Sequence, residues 1–326
     1  MECIRNYVGI DISKLFFDVA ISNQDVYRHY KFANDTNGFK ELIHVLDADN
    51  AHVVMEASGP YYLKLASYLF EKGMTVSVVN PLVIRRFCQM RLSRTKTDKK
   101  DAKMIAEYGK TEKPAVWAPE PAYILELRQM QATVDQLNKS KGGLLRQQEA
   151  FDQNTVLSKE NMKVITTVVR CIEKQIAVLE SKMQQLTEQY HGRLYNRLQT
   201  IPGLGKKTAM LLIVLSGGFK RFSNPKQLSS YFGLSPRTFE SGTSVKGKSK
   251  ITKMGMSRIR AMLYVCAWSA KKYNKACKEL YDRLVAKSKS KRVALIAVAN
   301  KLIKQAFAIA INDTTYQENY QKNICF

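Results

Sequence analysis

Tyr7-Val8-Gly9-Ile10-Asp11-Ile12-Ser13 is a short apolar run with one carboxylate set into it, near the start of a 326-residue chain. Val8, Ile10 and Ile12 alternate with Gly9 and Asp11, the period-2 pattern of a strand. Phe16-Phe17-Asp18-Val19-Ala20-Ile21-Ser22 follows with only a few residues to turn in, so the two runs predict a β-hairpin. Asp11 then projects from the first strand of a sheet, where an acid is costly unless it is paired or holds a metal. The plain alternative is an edge-strand aspartate facing water.

Working outward, strands are expected around 27–32, 53–56 and 75–79, with helices over 39–46, 61–72 and 82–90 between and after them. Gly73 stops the second helix and Asn80-Pro81 opens the third. A hairpin followed by β-α units predicts a mixed sheet with helices on its faces. An RNase H-like fold fits that order, as do other α/β folds. The stretch 91–100 is basic and reads as a mobile connection.

From Pro121 the composition shifts to long helices. Leu127, Met130, Val134, Leu137 and Leu144 keep 3-4 spacing, and 152–161 is a polar break. Ile165, Val169, Ile172, Ile176, Leu179, Met183, Leu186 and Tyr190 then hold a 4-3 repeat, the pattern of a coiled-coil seam. That seam can close within the chain or between chains. Ile201-Pro202-Gly203-Leu204-Gly205-Lys206-Lys207 has the turn of a helix-hairpin-helix, in which turn amides and a helix N-terminus meet a DNA phosphate; a tight turn without ligand is the alternative. A short helix at 225–232, a Gly/Ser/Lys-rich loop at 233–253 and an amphipathic helix at 256–271 follow. The segment 271–291 is heavily basic. The apolar segment 293–311 is interrupted by Asn300, Lys301, Lys304 and Gln305, so it reads as a core helix rather than a membrane span.

Fifty-two Lys and Arg against 28 Asp and Glu leave a net charge of +24. Such a surplus points to a polyanionic partner, nucleic acid before ribosome or membrane surface. The six cysteines form no C-x-x-C pair and only four histidines accompany them, which disfavours a zinc site or a disulfide framework. No signal peptide is legible before Asp11, and a soluble intracellular protein is expected.

Four acids form the first chemical constellation. Asp11 lies on the first strand and Glu56 ends a later one. Asp98 and Asp101 share a face if they begin a helix. Hard oxygen ligands of this kind suit Mg²⁺, and a pair of such ions can activate a nucleophile and stabilise a leaving oxygen in phosphoryl transfer. For Asp98 and Asp101 the alternative is a solvated first turn favoured by the helix dipole. The second candidate is Ser241, between Glu240 and Gly242, which composition alone reads as a turn residue. The cations expected against phosphates are Arg85, Arg86, Arg91, Arg94, Lys96, Lys206, Lys207, Arg237, Lys246, Lys248, Lys250 and Lys253.

Val8-Gly9-Ile10-Asp11-Ile12-Ser13-Lys14, Met55-Glu56-Ala57-Ser58-Gly59 with Tyr61-Tyr62, Val79-Asn80-Pro81 and Lys96-Thr97-Asp98-Lys99-Lys100-Asp101-Ala102 resemble the N-terminal domain of the DEDD insertion-sequence transposases. These are serine-bearing recombinases guided by a bridge RNA and related to the pilin-gene invertases. The resemblance continues through the long helices, the 201–209 turn, and Phe232-Gly233-Leu234-Ser235-Pro236 with Ser241-Gly242. It implies three parts: a RuvC-like metal-binding domain at 1–115, a long-helix oligomerisation region at 116–196, and a C-terminal helical domain at 197–326. It implies Asp11, Glu56, Asp98 and Asp101 as ligands of Mg²⁺ (two ions, with Mn²⁺ able to substitute) and Ser241 as the nucleophile that joins covalently to DNA. Thr243 stands where the family commonly has a second glycine, and Ser244 lies three residues beyond Ser241. The implied partners are donor and target DNA, a guide RNA, and further copies of the chain, as a dimer assembling to a tetramer. The implied setting is the bacterial or archaeal cytoplasm at the nucleoid, with no membrane.

Overall fold

The computed structural model describes residues 6–23, 26–46, 50–92, 97–237, 240–241, 245–246, 250–252 and 254–318. The chain divides into two compact units, Met1–Pro119 and Glu120–Phe326.

In the first unit, β1 (Asn6–Ile12), β2 (Phe16–Asn23) and β3 (Val26–Ala33) run as an antiparallel meander. After α1 (Thr36–Val45), β4 (Ala51–Glu56) returns parallel to β1 on its other side. After α2 (Tyr62–Glu71), β5 (Thr75–Val79) adds parallel to β4. The sheet order is β3-β2-β1-β4-β5, consistent with an RNase H-like, RuvC-like domain. β1 is therefore the central strand, and the reading of Asp11 as an edge-strand residue is overturned.

Side-chain alternation sorts the two faces. Val8, Ile10, Phe17, Val19, Val53 and Met55 face one way and pack with Leu42 of α1 and Leu65 and Leu69 of α2. On the other face Val54 and Val79 meet Ile84 of α3 (Pro81–Met90) and Ile105 of α4 (Asp98–Glu112). Both of those helices start on a polar cap: the Asn80 side chain accepts from the Leu82 amide with Pro81 at the first position, and Thr97 accepts from Lys100. Such caps satisfy amides that the first turn leaves open. The connection expected at 91–100 is thus shorter, because its last residues already belong to α4.

In the second unit, α5 (Ala122–Asp152) and α6 (Lys159–Gln199) pack as an antiparallel hairpin. Tyr123 stacks on Tyr190 with ring centroids 4.0 Å apart, and Lys141 reaches Glu173 at 3.4 Å. The heptad seam of α6 is therefore met within the chain, at Ile124, Leu127 and Val134 on α5 and Ile176, Met183 and Leu186 on α6. At His191 the backbone of α6 leaves helical geometry, and the imidazole is hydrogen-bonded to the Tyr123 hydroxyl.

The turn 201–205 leads into α7 (Lys206–Ser216), whose residues 208–216 are all buried. α8 (Pro225–Tyr231) follows, then α9 (Ser257–Tyr273), α10 (Lys275–Ala286) and α11 (Lys291–Asn312). One expectation is corrected here. The segment 233–253 is not a plain loop: β6 (Pro236–Arg237) pairs with β9 (Lys250–Ile251), and β7 (Glu240–Ser241) pairs with β8 (Val245–Lys246). The basic segment after Lys271 contains a helix, α10. α11 is long and apolar enough to cross a membrane by length and composition. It is used as a core helix instead, with Leu295, Val298, Leu302, Ile303 and Ala306 buried in the unit's main cluster.

Candidate active site

The site is built where α4 lies on the centre of the sheet. A Cβ added at Gly9 would stand 2.1 Å from the Ala102 carbonyl oxygen and 2.3 Å from the Ala106 amide nitrogen. One at Gly109 would meet Val54 and Tyr7 side chains at 2.7 and 2.8 Å. Two glycines thus let a helix backbone rest directly on β1 and β4. The register has a consequence. Gly109 lies over Tyr7 and Ala102 and Ala106 over Gly9, so α4 runs antiparallel to β1. Its first turn, with Asp98 and Asp101, points toward Asp11.

The strands bring the other acid. Ile10 pairs with Met55, so Asp11 and Glu56 come next on neighbouring parallel strands, on the face that carries Gly9 and Val54. The Ser58 hydroxyl donates to Glu56 Oε1 at 2.7 Å. All four acids expected from the sequence are therefore drawn to one end of the central strands. Asp11 registers the crowding: its carboxyl is pushed up from 3.8 to about 6, by burial first and then by the charges of Asp101, Glu56, Asp98 and Asp18. The Cys88 thiol of α3 is also raised, by burial and then by Asp101 and Glu56. Among the described residues no three His, Cys, Asp or Glu side chains yet close on one point fit for an ion. The carboxylates share a field without converging, as repelling like charges do.

Asp18 was not singled out by sequence, although it belongs to this neighbourhood. It pairs across the hairpin with Asp11 and is 6% exposed. His29 Nε2 lies 2.7 Å from its Oδ1, and Lys31 Nζ 3.9 Å from its Oδ2. The signal was present as an acid inside the apolar run 16–22, one hairpin register from Asp11.

Ser241 is placed on the second unit's ribbon, its backbone paired with Val245. The stem of that ribbon is clamped. Asn300 of α11 donates to the Leu234 carbonyl at 3.2 Å, Arg260 of α9 to the Phe232 carbonyl at 3.2 Å, and the Thr252 amide to Ser235 at 3.1 Å. Gly233 and Gly255 have φ of +71° and +135°, and a Cβ on either would strike backbone within 2.6 Å. The Phe-Gly-Leu-Ser-Pro run is thus the fixed base of the serine ribbon.

The expected cations divide. Arg85, Arg86 and Arg91 are exposed on α3 and its C-terminal end, with Arg91 over the Phe87 ring. Lys206 is exposed at the start of α7, whereas Lys207 is held 2.7 Å from Glu180 of α6. In the preceding turn, Gly203 (φ +101°) packs directly against the Ala270 backbone, while Gly205 faces open space. Arg237, Lys246 and Lys250 lie on the ribbon strands. Arg94, Lys96, Ser244, Lys248 and Lys253 lie outside the described residues.

Known proteins match this chain over nearly all of it. Residues 8–151 match the family model described as DEDD transposase of the IS110 type, and residues 195–282 match that of the IS116/IS110/IS902 transposase family. A pilin gene-inverting protein of Moraxella lacunata is 32% identical over 316 residues, covering 94% of this chain and 95% of its own. Its counterpart in Moraxella bovis is 31% identical over the same span. An IS110 insertion-element protein of Streptomyces coelicolor is 29% identical over 175 residues, 52% of this chain and 42% of its own. By these matches the chain belongs to the IS116/IS110/IS902 family of DEDD transposases.

Proposed function

We propose that this protein is an RNA-guided DNA recombinase that cuts and rejoins DNA through a Mg²⁺-supported, covalent phosphoserine intermediate. The observation that carries the reading is the gathering of Asp11, Glu56, Asp98 and Asp101 at the end of the central strands, with Asp11 raised to about 6 by burial first and then by its neighbours' charge. Four hard oxygen donors that repel one another fit a divalent cation, which would neutralise them and hold a phosphate beside them. Mg²⁺ bound there would lower the pKa of a nearby hydroxyl and polarise a scissile phosphate.

The chain's own contribution is then a transesterification. The Ser241 oxygen attacks phosphorus, a Ser–O–P bond forms, and the DNA P–O bond breaks. The DNA hydroxyl leaves carrying a proton, and the serine proton passes to solvent or an acid of the site. Attack by the hydroxyl of another DNA end reverses these steps and restores Ser241, so no high-energy cofactor is consumed. A clamped ribbon stem would limit where the serine can reach, which favours positioning of a nucleophile. Exposed Arg85, Arg86, Arg91 and Lys206, with the ribbon lysines, would neutralise phosphates. Sequence choice would rest on pairing to a guide RNA while the protein reads backbone and shape, similar in principle to other RNA-guided systems. Two DNAs and paired cuts call for a multimer, a dimer assembling to a tetramer.

The test is recombination of a junction-bearing plasmid by protein purified with its RNA, with and without ribonuclease treatment. Loss of product after treatment, restored by adding the RNA back, supports guidance. Undiminished recombination after complete RNA removal would overturn it. Cutting without rejoining that also survives in Ser241→Ala would move the protein to a junction nuclease in which water attacks.

A further inference from the structure

α9 buries Ile259, Leu263, Cys266, Ala267 and Ala270 against the core. On the opposite side Val265, Trp268 and Lys272 recur at helical spacing, while Tyr273, the last residue of the helix, lies about 140° around the axis from Trp268. Val265 is 68% exposed, Trp268 49% and Tyr273 70%. Large aromatic groups held open to water in this way mark a contact surface more than chance composition does. Lys271 is set among them, its Nζ 4.1 Å from the Trp268 ring centre and 4.9 Å from that of Tyr281. From Lys271 to Arg292 the chain carries nine Lys and Arg against Glu279 and Asp282 alone. Another basic surface is a poor occupant of such a face. A polyanion with exposed apolar surfaces is a good one.

We propose that this face of α9 is a stacking site for an unpaired RNA strand, with a base on Trp268 and phosphates beside Lys271 and Lys272. Duplex DNA keeps its base faces inside the stack and offers the lysines only phosphates. RNA presents unstacked bases in loops and single-stranded ends, and these are what aromatic side chains take up. The inference rests on the RNA-guided reading for the origin of the strand and adds where on the protein it is held.

Trp117 and Trp268 are the chain's two tryptophans, so the full-length Trp117→Phe variant reports from Trp268 alone. Its fluorescence is titrated with a mixed-sequence single-stranded RNA, the same sequence as single-stranded DNA, and duplex DNA. Saturable quenching by RNA, stronger than by either DNA, is expected. In filter binding, Trp268→Ala is expected to lose about tenfold in RNA affinity, while Trp268→Phe keeps most of it and duplex binding is unchanged in both. RNA bound at full affinity with Trp268 silent, or single-stranded DNA quenching as well as RNA, would overturn this face and leave RNA guidance standing. Failure of every variant and the parent to bind RNA would overturn guidance and this proposal together.

Discussion

Replacing Asp11 with Asn should abolish DNA cleavage and make the metal-free protein more stable. The fold raises this carboxyl from 3.8 to about 6, so at pH 7.5 it is ionised against its surroundings. A rise of that size is worth about 3 kcal/mol between protonation states. Solvent screening of a half-exposed carboxylate removes roughly half, leaving a penalty on the order of 1–2 kcal/mol that Asn, isosteric and uncharged, does not incur. Because the folded pKa is the higher one, the folded chain holds the proton longer than the unfolded chain. The penalty is absent below about pH 4, develops between about 4 and 6, and is complete above 6. Thermal melts at pH 7.5 should show Asp11→Asn above wild type by about 4–8 °C for the first unit, with the gap closing at pH 4. Saturating Mg²⁺ should raise the wild-type melt and narrow the difference. Equal or lower stability of the variant at pH 7.5, or a gap unchanged by pH, would refute the raised Asp11 carboxyl, the joint effect of its burial and its acidic neighbours.

Other perturbations separate packing from chemistry. Gly9→Ala drives a methyl into the backbone of α4 and should cost about 3 kcal/mol in denaturant melts, with cleavage falling further as Asp98 and Asp101 are displaced. Lys206→Ala should weaken DNA binding and lower its salt slope by about one. Lys207→Ala should change the slope less, since its ammonium already pairs with Glu180; the reverse order in salt titrations would contradict that assignment. Asn300→Ala leaves the Leu234 carbonyl without its donor, at about 1–3 kcal/mol. It should slow the serine step in single-turnover assays while DNA affinity holds.

The first unit was legible because its elements are short, strongly patterned and punctuated. The period-2 alternation at 7–13, the turn before 16 and the Asn80-Pro81 cap each point to one local structure, and the helix face of Asp98 and Asp101 follows from the Thr97 cap. What alternation could not give was the neighbour of each strand. Only pairing on both sides of β1 shows Asp11 to be central and puts Asp18 beside it. In the second unit the seam of α6 was visible but not its partner, which is the adjacent α5 rather than a second chain at the positions named. α10 was hidden because it sits inside a run flanked by Lys271, Lys272, Lys287, Lys289 and Lys291, although Cys277, Leu280, Tyr281 and Leu284 keep helical spacing. The serine ribbon escaped because its strands are two residues long, too short to alternate.

The most direct test of the central claim is a covalent-adduct assay. Full-length protein with its co-purifying RNA is mixed with Mg²⁺ and DNA spanning the element's junctions, denatured, and the DNA-linked peptide identified by mass. The account predicts an adduct on Ser241, dependent on Mg²⁺ and absent from Asp11→Asn and Ser241→Ala. Cleaved DNA with no adduct, or an adduct on another residue such as Ser244, would contradict it.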